Sequence, residues 1–164
     1  MYEVIDNFLD NEDFNILKKN MLGGFFPWYF SNEVTESSKD EKLSKNYYMI
    51  HSFYDKQSND RSNHFSLLNP ILNKLNINSL IRIKGNLYPH SNKLIYHKKH
   101  RDYEYKHNGA IFFLNSNDGF TILNDNINIK SIANRILFFD SSKSHNSTNC
   151  TNEKVRVNIN FNYI

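Results

Sequence analysis

His100-Arg101-Asp102 places an imidazole and a carboxylate two residues apart. On an extended segment both side chains point the same way and can share one metal ion. The pair alone is weak, because 7 His and 17 acidic residues in 164 positions supply about 0.7 such spacings by chance. The catalytic loop of kinases also contains His-Arg-Asp, but neither a Gly-rich loop nor Asp-Phe-Gly accompanies it here. A third ligand must come from a different strand, and His145 is the only histidine after His107. Two imidazoles and one carboxylate on a ferrous ion leave three positions open for a co-substrate and oxygen. Arg156, the only arginine beyond Arg135, offers a planar fork that suits a dicarboxylate.

The elements that must position these residues fall into two parts. Residues 1–78 carry the helical signals. Asp10 can cap a helix whose apolar residues Phe14, Ile16, Leu17 and Met21 recur at helical spacing, with Gly23-Gly24 as its stop. Phe65–Leu75 repeats the pattern, with Pro70 making it either two short helices or one that begins at Asn69. Ser31–Ser44 reads as a charged surface loop, and Asn46–Tyr54 as a strand. Residues 79–164 read as short strands separated by turns: Leu80–Tyr88, Lys93–His97, Gly109–Leu114, Phe120–Leu123, Ile127–Ile132, Arg135–Phe139 and Val155–Tyr163. Turns are expected at Pro89-His90, Asn117-Asp118-Gly119, Asn124-Asp125 and Ser141–Asn149. Such spacing predicts a mainly β sandwich or barrel, with the N-terminal helices packed on one outer face.

The last strand is the most informative. Val155, Val157, Ile159, Phe161 and Tyr163 form an apolar face, and Arg156, Asn158, Asn160 and Asn162 form a polar one. With the apolar face under the helices, the polar face either meets solvent or lines a polar ligand pocket, because buried polar groups need partners.

Composition bounds the rest. The length fits one domain spanning 1–164, and 13 Phe with 10 Tyr supply a real core. A formal charge of +3 is mild and argues against nucleic acid as the partner, although Tyr96, Tyr103 and Tyr105 lie among basic residues. The single cysteine, Cys150, excludes an intrachain disulfide and a multi-cysteine zinc site. Neither a membrane span nor a secretory leader is legible, so a cytoplasmic location is expected. Asn is abundant, at 27 against 2 Ala, but scattered. Coding bias accounts for that more simply than function.

The order of parts in the second half resembles the iron(II)- and 2-oxoglutarate-dependent oxygenases, specifically their prolyl-4-hydroxylase-like branch. The parts are His100-x-Asp102, Gly109-Ala-Ile-Phe-Phe-Leu-Asn115, Asp118-Gly-Phe-Thr121, Asn134-Arg-Ile-Leu-Phe-Phe-Asp140, His145 and Arg156-Val-Asn-Ile-Asn-Phe. Val4-Ile-Asp-Asn-Phe-Leu9 and Trp28 look like the leader of small proteins of this type in phage and bacteria. The resemblance implies a double-stranded β-helix (jelly roll), with His100, Asp102 and His145 as both metal ligands and catalytic centre. It implies Fe(II), 2-oxoglutarate and O2 as cofactor and co-substrates, with Arg156 on the distal carboxylate of 2-oxoglutarate. The implied activity is hydroxylation of a C–H bond in a small molecule or peptide, such as a prolyl side chain, with release of succinate and CO2. Relatives often place a Tyr hydroxyl near that carboxylate from the strand where this chain has Phe112-Phe113. Asn86, Thr121 and Asn158 are the candidate replacements. A rival of another class is a non-catalytic jelly roll that binds a ligand or protein, and the complete triad stands against it. Trp28 reads as core or pocket rim, and Cys150 as incidental.

Overall fold

The computed structural model describes residues 1–32, 47–124 and 126–164. Most of the expected loop Ser31–Ser44, the start of the expected strand at Asn46, and Asp125 of the expected turn lie outside the described residues. In chain order the elements are β1 (Tyr2–Ile5), α1 (Asn11–Met21), β2 (Tyr29–Ser31), β3 (Tyr48–Asp55) and β4 (Asp60–Arg61). A 3-10 turn (Phe65–Leu68) then runs into the short helix α2 (Asn69–Leu72), which makes the second helical segment two short pieces divided ahead of Pro70. The remaining strands are β5 (Leu80–Pro89), β6 (Asn108–Phe113), β7 (Phe120–Leu123), β8 (Ile127–Lys130), β9 (Arg135–Asp140), β10 (His145–Ser147) and β11 (Val155–Tyr163).

Two antiparallel sheets face each other. The larger runs β1-β9-β6-β11-β5-β3-β2 with β4 on β3, and the smaller runs β10-β7-β8. This is the jelly roll. Its edges and crossovers leave a space between the sheets whose floor is the inner face of β5 and β11 and whose roof is β7 and β10.

Helix α1 begins where the Asp10 carboxylate accepts from the Asp13 N–H at 2.9 Å, a cap that stabilises a helix by about 1 kcal/mol. Glu12 and Asp13 sit in its first turn and Lys18 and Lys19 in its last, each complementing the helix dipole. Phe14, Leu17 and Met21 are buried against Phe112, Val157, Ile159 and Phe161 on the outer face of the large sheet. Ile16, expected on the same stripe, is instead half-exposed. It lies two residues from Phe14 and so about 200° around the helix. Between the sheets, Ile111, Phe113, Leu123, Ile129 and Leu137 form a second, smaller apolar cluster.

Two expectations fail for identifiable reasons. Lys93–His97 is not a strand. The Ile95 N–H is taken by the Asn149 side chain at 2.7 Å, and the segment pairs only at the single bridge Tyr96–Thr148. Conversely, Ser141–Asn149 is not all turn, because His145–Ser147 pairs with Thr121–Leu123 as β10. No helix among the described residues is long and apolar enough to cross a membrane.

Candidate metal centre

The polar face of β11 is buried. Arg156, Asn158 and Asn162 are all but inaccessible to solvent, so of the two readings of that face the pocket is the correct one. Antiparallel register sets it against the matching face of β5, opposing Arg156 with Tyr88, Asn158 with Asn86, Asn160 with Lys84 and Asn162 with Arg82. The cavity above this ladder is lined by Lys84, Asn86, Tyr88, Asn158 and Asn160, by Tyr48 of β3, by Thr121 of β7, and by His100, Asp102 and His145.

The triad comes together through backbone geometry. His100 and His145 form an isolated antiparallel bridge, each N–H donating to the other's carbonyl at 2.9 Å. One donor atom from each of His100, Asp102 and His145 lies within 4.8 Å of the others. His100 Nε2 is 3.8 Å and His145 Nε2 3.9 Å from the two Asp102 carboxylate oxygens. At the other ring nitrogen, His145 Nδ1 donates to the Lys143 carbonyl at 3.0 Å, and His100 Nδ1 to that of Lys98 at 3.3 Å. A proton held there leaves the Nε2 lone pair facing inward, the usual support of a ligating imidazole. His145 Nε2 is buried without a hydrogen-bond partner, an orphan that a metal ion satisfies.

Asp102 is supported just as fully. Its carboxylate accepts from Arg82 Nη2 at 3.1 Å, Asn162 Nδ2 at 2.8 Å and the Ser141 hydroxyl. Burial alone would raise its pKa. The charges of His145 and Arg82, with the hydrogen bonds from Ser141 and Asn162, outweigh that and hold it well below the usual carboxylate range. Burial and the nearby His145 lower the pKa of His100. The three side chains present two imidazole nitrogens and one carboxylate oxygen, a donor set that fits Fe(II) with open positions. Gly109 is needed here, because a Cβ on it would lie 2.6 Å from Ser141 Cβ and push that hydroxyl off Asp102.

Arg156 stands directly behind Tyr88 and Thr121, at the opposite end of the ladder from Asp102. It is fully buried. Its Nε donates to Ser131 Oγ at 2.9 Å, one Nη to the Thr148 carbonyl at 3.1 Å, and the other to Thr121 Oγ1 at 3.2 Å. Its guanidinium carbon lies 5.3 Å from the Tyr88 ring centroid. Among the described residues, no carboxylate pairs with it. A Cβ at Gly119 would come 2.7 Å from Arg156 Cδ, so only glycine lets the β7 approach pass this stem.

Of the other expected contacts, Thr121 already hydrogen-bonds Arg156, and Asn86 donates to Asn158 Oδ1 at 3.0 Å. All three line the cavity. Tyr88, Tyr48, Lys84 and Arg82 were not foreseen. The signal for three of them was a two-residue alternation along β5, which puts Arg82, Lys84 and Tyr88 on the same face as Asn86. The Tyr88 ring reaches Arg156 from β5, and burial pushes its hydroxyl pKa up to about 12. Trp28 packs on the helical core and donates from Nε1 to the Met21 carbonyl at 3.0 Å. Cys150 is buried and its thiol pKa is raised by that burial, the opposite of an activated nucleophile.

No protein-family model matches the chain, and no curated protein matches it by sequence. Solved structures do match over nearly its whole length. A prolyl-4-hydroxylase from Pseudomonas putida superposes with a TM-score of 0.62 at 11% identity, covering 99% of this chain and 91% of that one. A viral collagen prolyl hydroxylase from Paramecium Bursaria Chlorella virus-1, in its 2OG complex, gives 0.62 at 14% identity, covering 99% and 96%. HygX from Streptomyces hygroscopicus, with nickel, 2-oxoglutarate and hygromycin B bound, gives 0.60 at 11% identity, covering 99% and 82%. At these identities the likeness is one of fold.

Proposed function

We propose that this protein is an iron(II)- and 2-oxoglutarate-dependent oxygenase that hydroxylates a C–H bond of its substrate. The observation that carries the reading is the pairing of two incomplete sites on one buried ladder. A His-Asp-His set has an orphaned nitrogen at one end, and a fully buried guanidinium with neutral partners stands at the other. A buried charge without a counter-charge is costly unless a ligand completes it. With Fe(II) and 2-oxoglutarate in place, such a site supplies oxidative decarboxylation, in which O2 is consumed, succinate and CO2 leave, and C–H becomes C–OH.

The chain's own residues have separable tasks. His100, Asp102 and His145 would hold the metal on one side, their donors aimed by the Lys98 and Lys143 carbonyls and by Arg82, Ser141 and Asn162. Arg156 would neutralise the distal carboxylate of 2-oxoglutarate, with Thr121 and Tyr88 beside it and Asn86 and Asn158 along its length. The protein thereby fixes orientation and shields the reacting centre, while the cofactor carries the oxidation. Structures sharing the fold hold different bound molecules: a Trichoplax adhaerens prolyl hydroxylase has a hypoxia inducible factor peptide fragment, and HygX has hygromycin B. Fold therefore leaves the choice between peptide and small molecule to the cavity wall.

Anaerobic titration with Fe(II) and then 2-oxoglutarate tests the reading. The expected result is a weak visible charge-transfer band near ~500 nm, followed by slow succinate release in air. His145→Ala should lose the band while keeping the far-ultraviolet circular dichroism of the wild type. A folded, iron-loaded wild type that gives neither band nor succinate would replace the oxygenase with a binding jelly roll.

A further inference from the structure

The ladder carries a second cation whose role the oxygenase reading leaves open. Lys84 lies opposite Asn160 in the register of β5 and β11, and both line the cavity that contains the triad. The Lys84 ammonium donates to the Tyr48 hydroxyl at a long 3.4 Å. Among the described residues no carboxylate lies within ion-pair distance of it. Asp102, the one acid lining the cavity, is already engaged by Arg82, Ser141 and Asn162.

Its neighbour across the register is incomplete as well. Asn160 Oδ1 is buried with no hydrogen-bond partner. Tyr48 is buried and stacked on Tyr88, with ring centroids 5.5 Å apart and planes at 12°, so its hydroxyl is held in place beside the ammonium. Burial, reinforced by the charge of Arg82, lowers the pKa of Lys84 to about 8. At neutral pH the group remains mostly charged.

Arg156 and Asn160 are four residues apart on β11, roughly 13 Å along a strand. One carboxylate cannot answer both the guanidinium and the ammonium opposite Asn160. We infer that Lys84, Tyr48 and Asn160 form a subsite for an anionic group of the substrate, a carboxylate or a phosphate. The ammonium and the Tyr48 hydroxyl donate to the anion, and Asn160 Oδ1 accepts from an N–H or O–H next to it. This inference rests on the oxygenase reading of the same cavity and narrows its substrate to an acidic one.

The test uses full-length protein loaded with zinc as a redox-silent metal and with 2-oxoglutarate, whose binding is measured first. Acetate and inorganic phosphate are then titrated in separate arms while the amide resonances of β3 and β11 are followed. One of the two anions should shift Tyr48 and Asn160 saturably, and the arm that does so tells carboxylate from phosphate. Lys84→Met should weaken that response about tenfold, the loss of one charge-assisted hydrogen bond, and Lys84→Arg should restore most of it. Shifts that do not saturate, or that ignore Lys84→Met, overturn the inference. A loss of 2-oxoglutarate affinity in Lys84→Met equal to that in Arg156→Met also overturns it, by giving Lys84 to the co-substrate while the oxygenase reading stands. A wild type that binds neither metal nor 2-oxoglutarate sinks both before any anion is added.

Discussion

The two faces of β11 are equally buried and are satisfied in opposite ways. On the outer face, Val157, Ile159 and Phe161 meet α1 and the neighbouring strands, and packing alone completes them. On the inner face, Arg156, Asn158 and Asn162 are met group by group through hydrogen bonds, Asn160 Oδ1 is not, and the accounting does not close. A guanidinium charge and one amide oxygen on that face are left over, and so is an imidazole nitrogen on the facing sheet. Apolar burial is non-directional and tolerates approximation, whereas each unpaired polar group has a cost that marks its location. The outer face therefore explains why the protein folds, and the inner face holds the polar groups left without partners.

Breaking the outer face should produce the largest effect on stability. Phe161→Ala removes a fully buried ring from the main core and should cost about 4 kcal/mol in urea unfolding. A loss under ~1 kcal/mol would mean that this face is less tightly packed than described. Breaking the inner face should separate stability from binding. Arg156→Met should stay within about 1 kcal/mol of wild-type stability, because the charge it removes has no counter-charge. Its 2-oxoglutarate affinity, read by calorimetry on the metal-loaded protein, should fall roughly a hundredfold. Unchanged affinity would remove Arg156 from the site.

The smallest effect sharpens the contrast through pH. His97 is buried, stacks on Tyr88 at 4.9 Å and shares a hydrogen bond with Ser147 Oγ. Burial, then the charges of Arg156 and His100, push its pKa down to about 3. The unfolded chain binds that proton more tightly than the folded one. The contribution of His97 is therefore complete above the unfolded pKa of roughly 6.5 and drains away as pH falls below it, at up to about 1.4 kcal/mol per pH unit. His97→Asn should flatten the acid limb of the stability profile between about pH 6 and pH 4, measured by denaturant melts at each pH. A limb as steep as that of the wild type would show that the proton uptake belongs elsewhere.

Much of this arrangement was legible in the sequence. The strict alternation from Val155 to Tyr163 fixed which side chains look inward, and the spacing in His100-Arg101-Asp102 fixed two donors on one edge. What stayed hidden depended on partners. His145-Asn146-Ser147 has no strand composition and becomes a strand only because β7 and His100 supply its hydrogen bonds. Lys93–His97 has strand composition but loses its ladder to the Asn149 side chain. Tyr88 and Lys84 look like ordinary alternation until register sets them against Arg156 and Asn160. The abundance of Asn also proves structural in places. Asn7, Asn59, Asn124 and Asn134 all adopt positive φ, a role glycine usually takes. The Asn134 side chain also bonds both backbone groups of Leu9.

The pairing of His100 with His145 has a broader consequence. Because main-chain atoms hold the two imidazoles together, the residues between position 102 and β6 are released from any duty to space them. Two of those residues still touch the groups that hold Asp102, Tyr103 at the Arg82 guanidinium and the buried His107 at the Asn162 amide. Change that leaves the three donors undisturbed is therefore confined to exposed side chains such as Glu104 and Lys106.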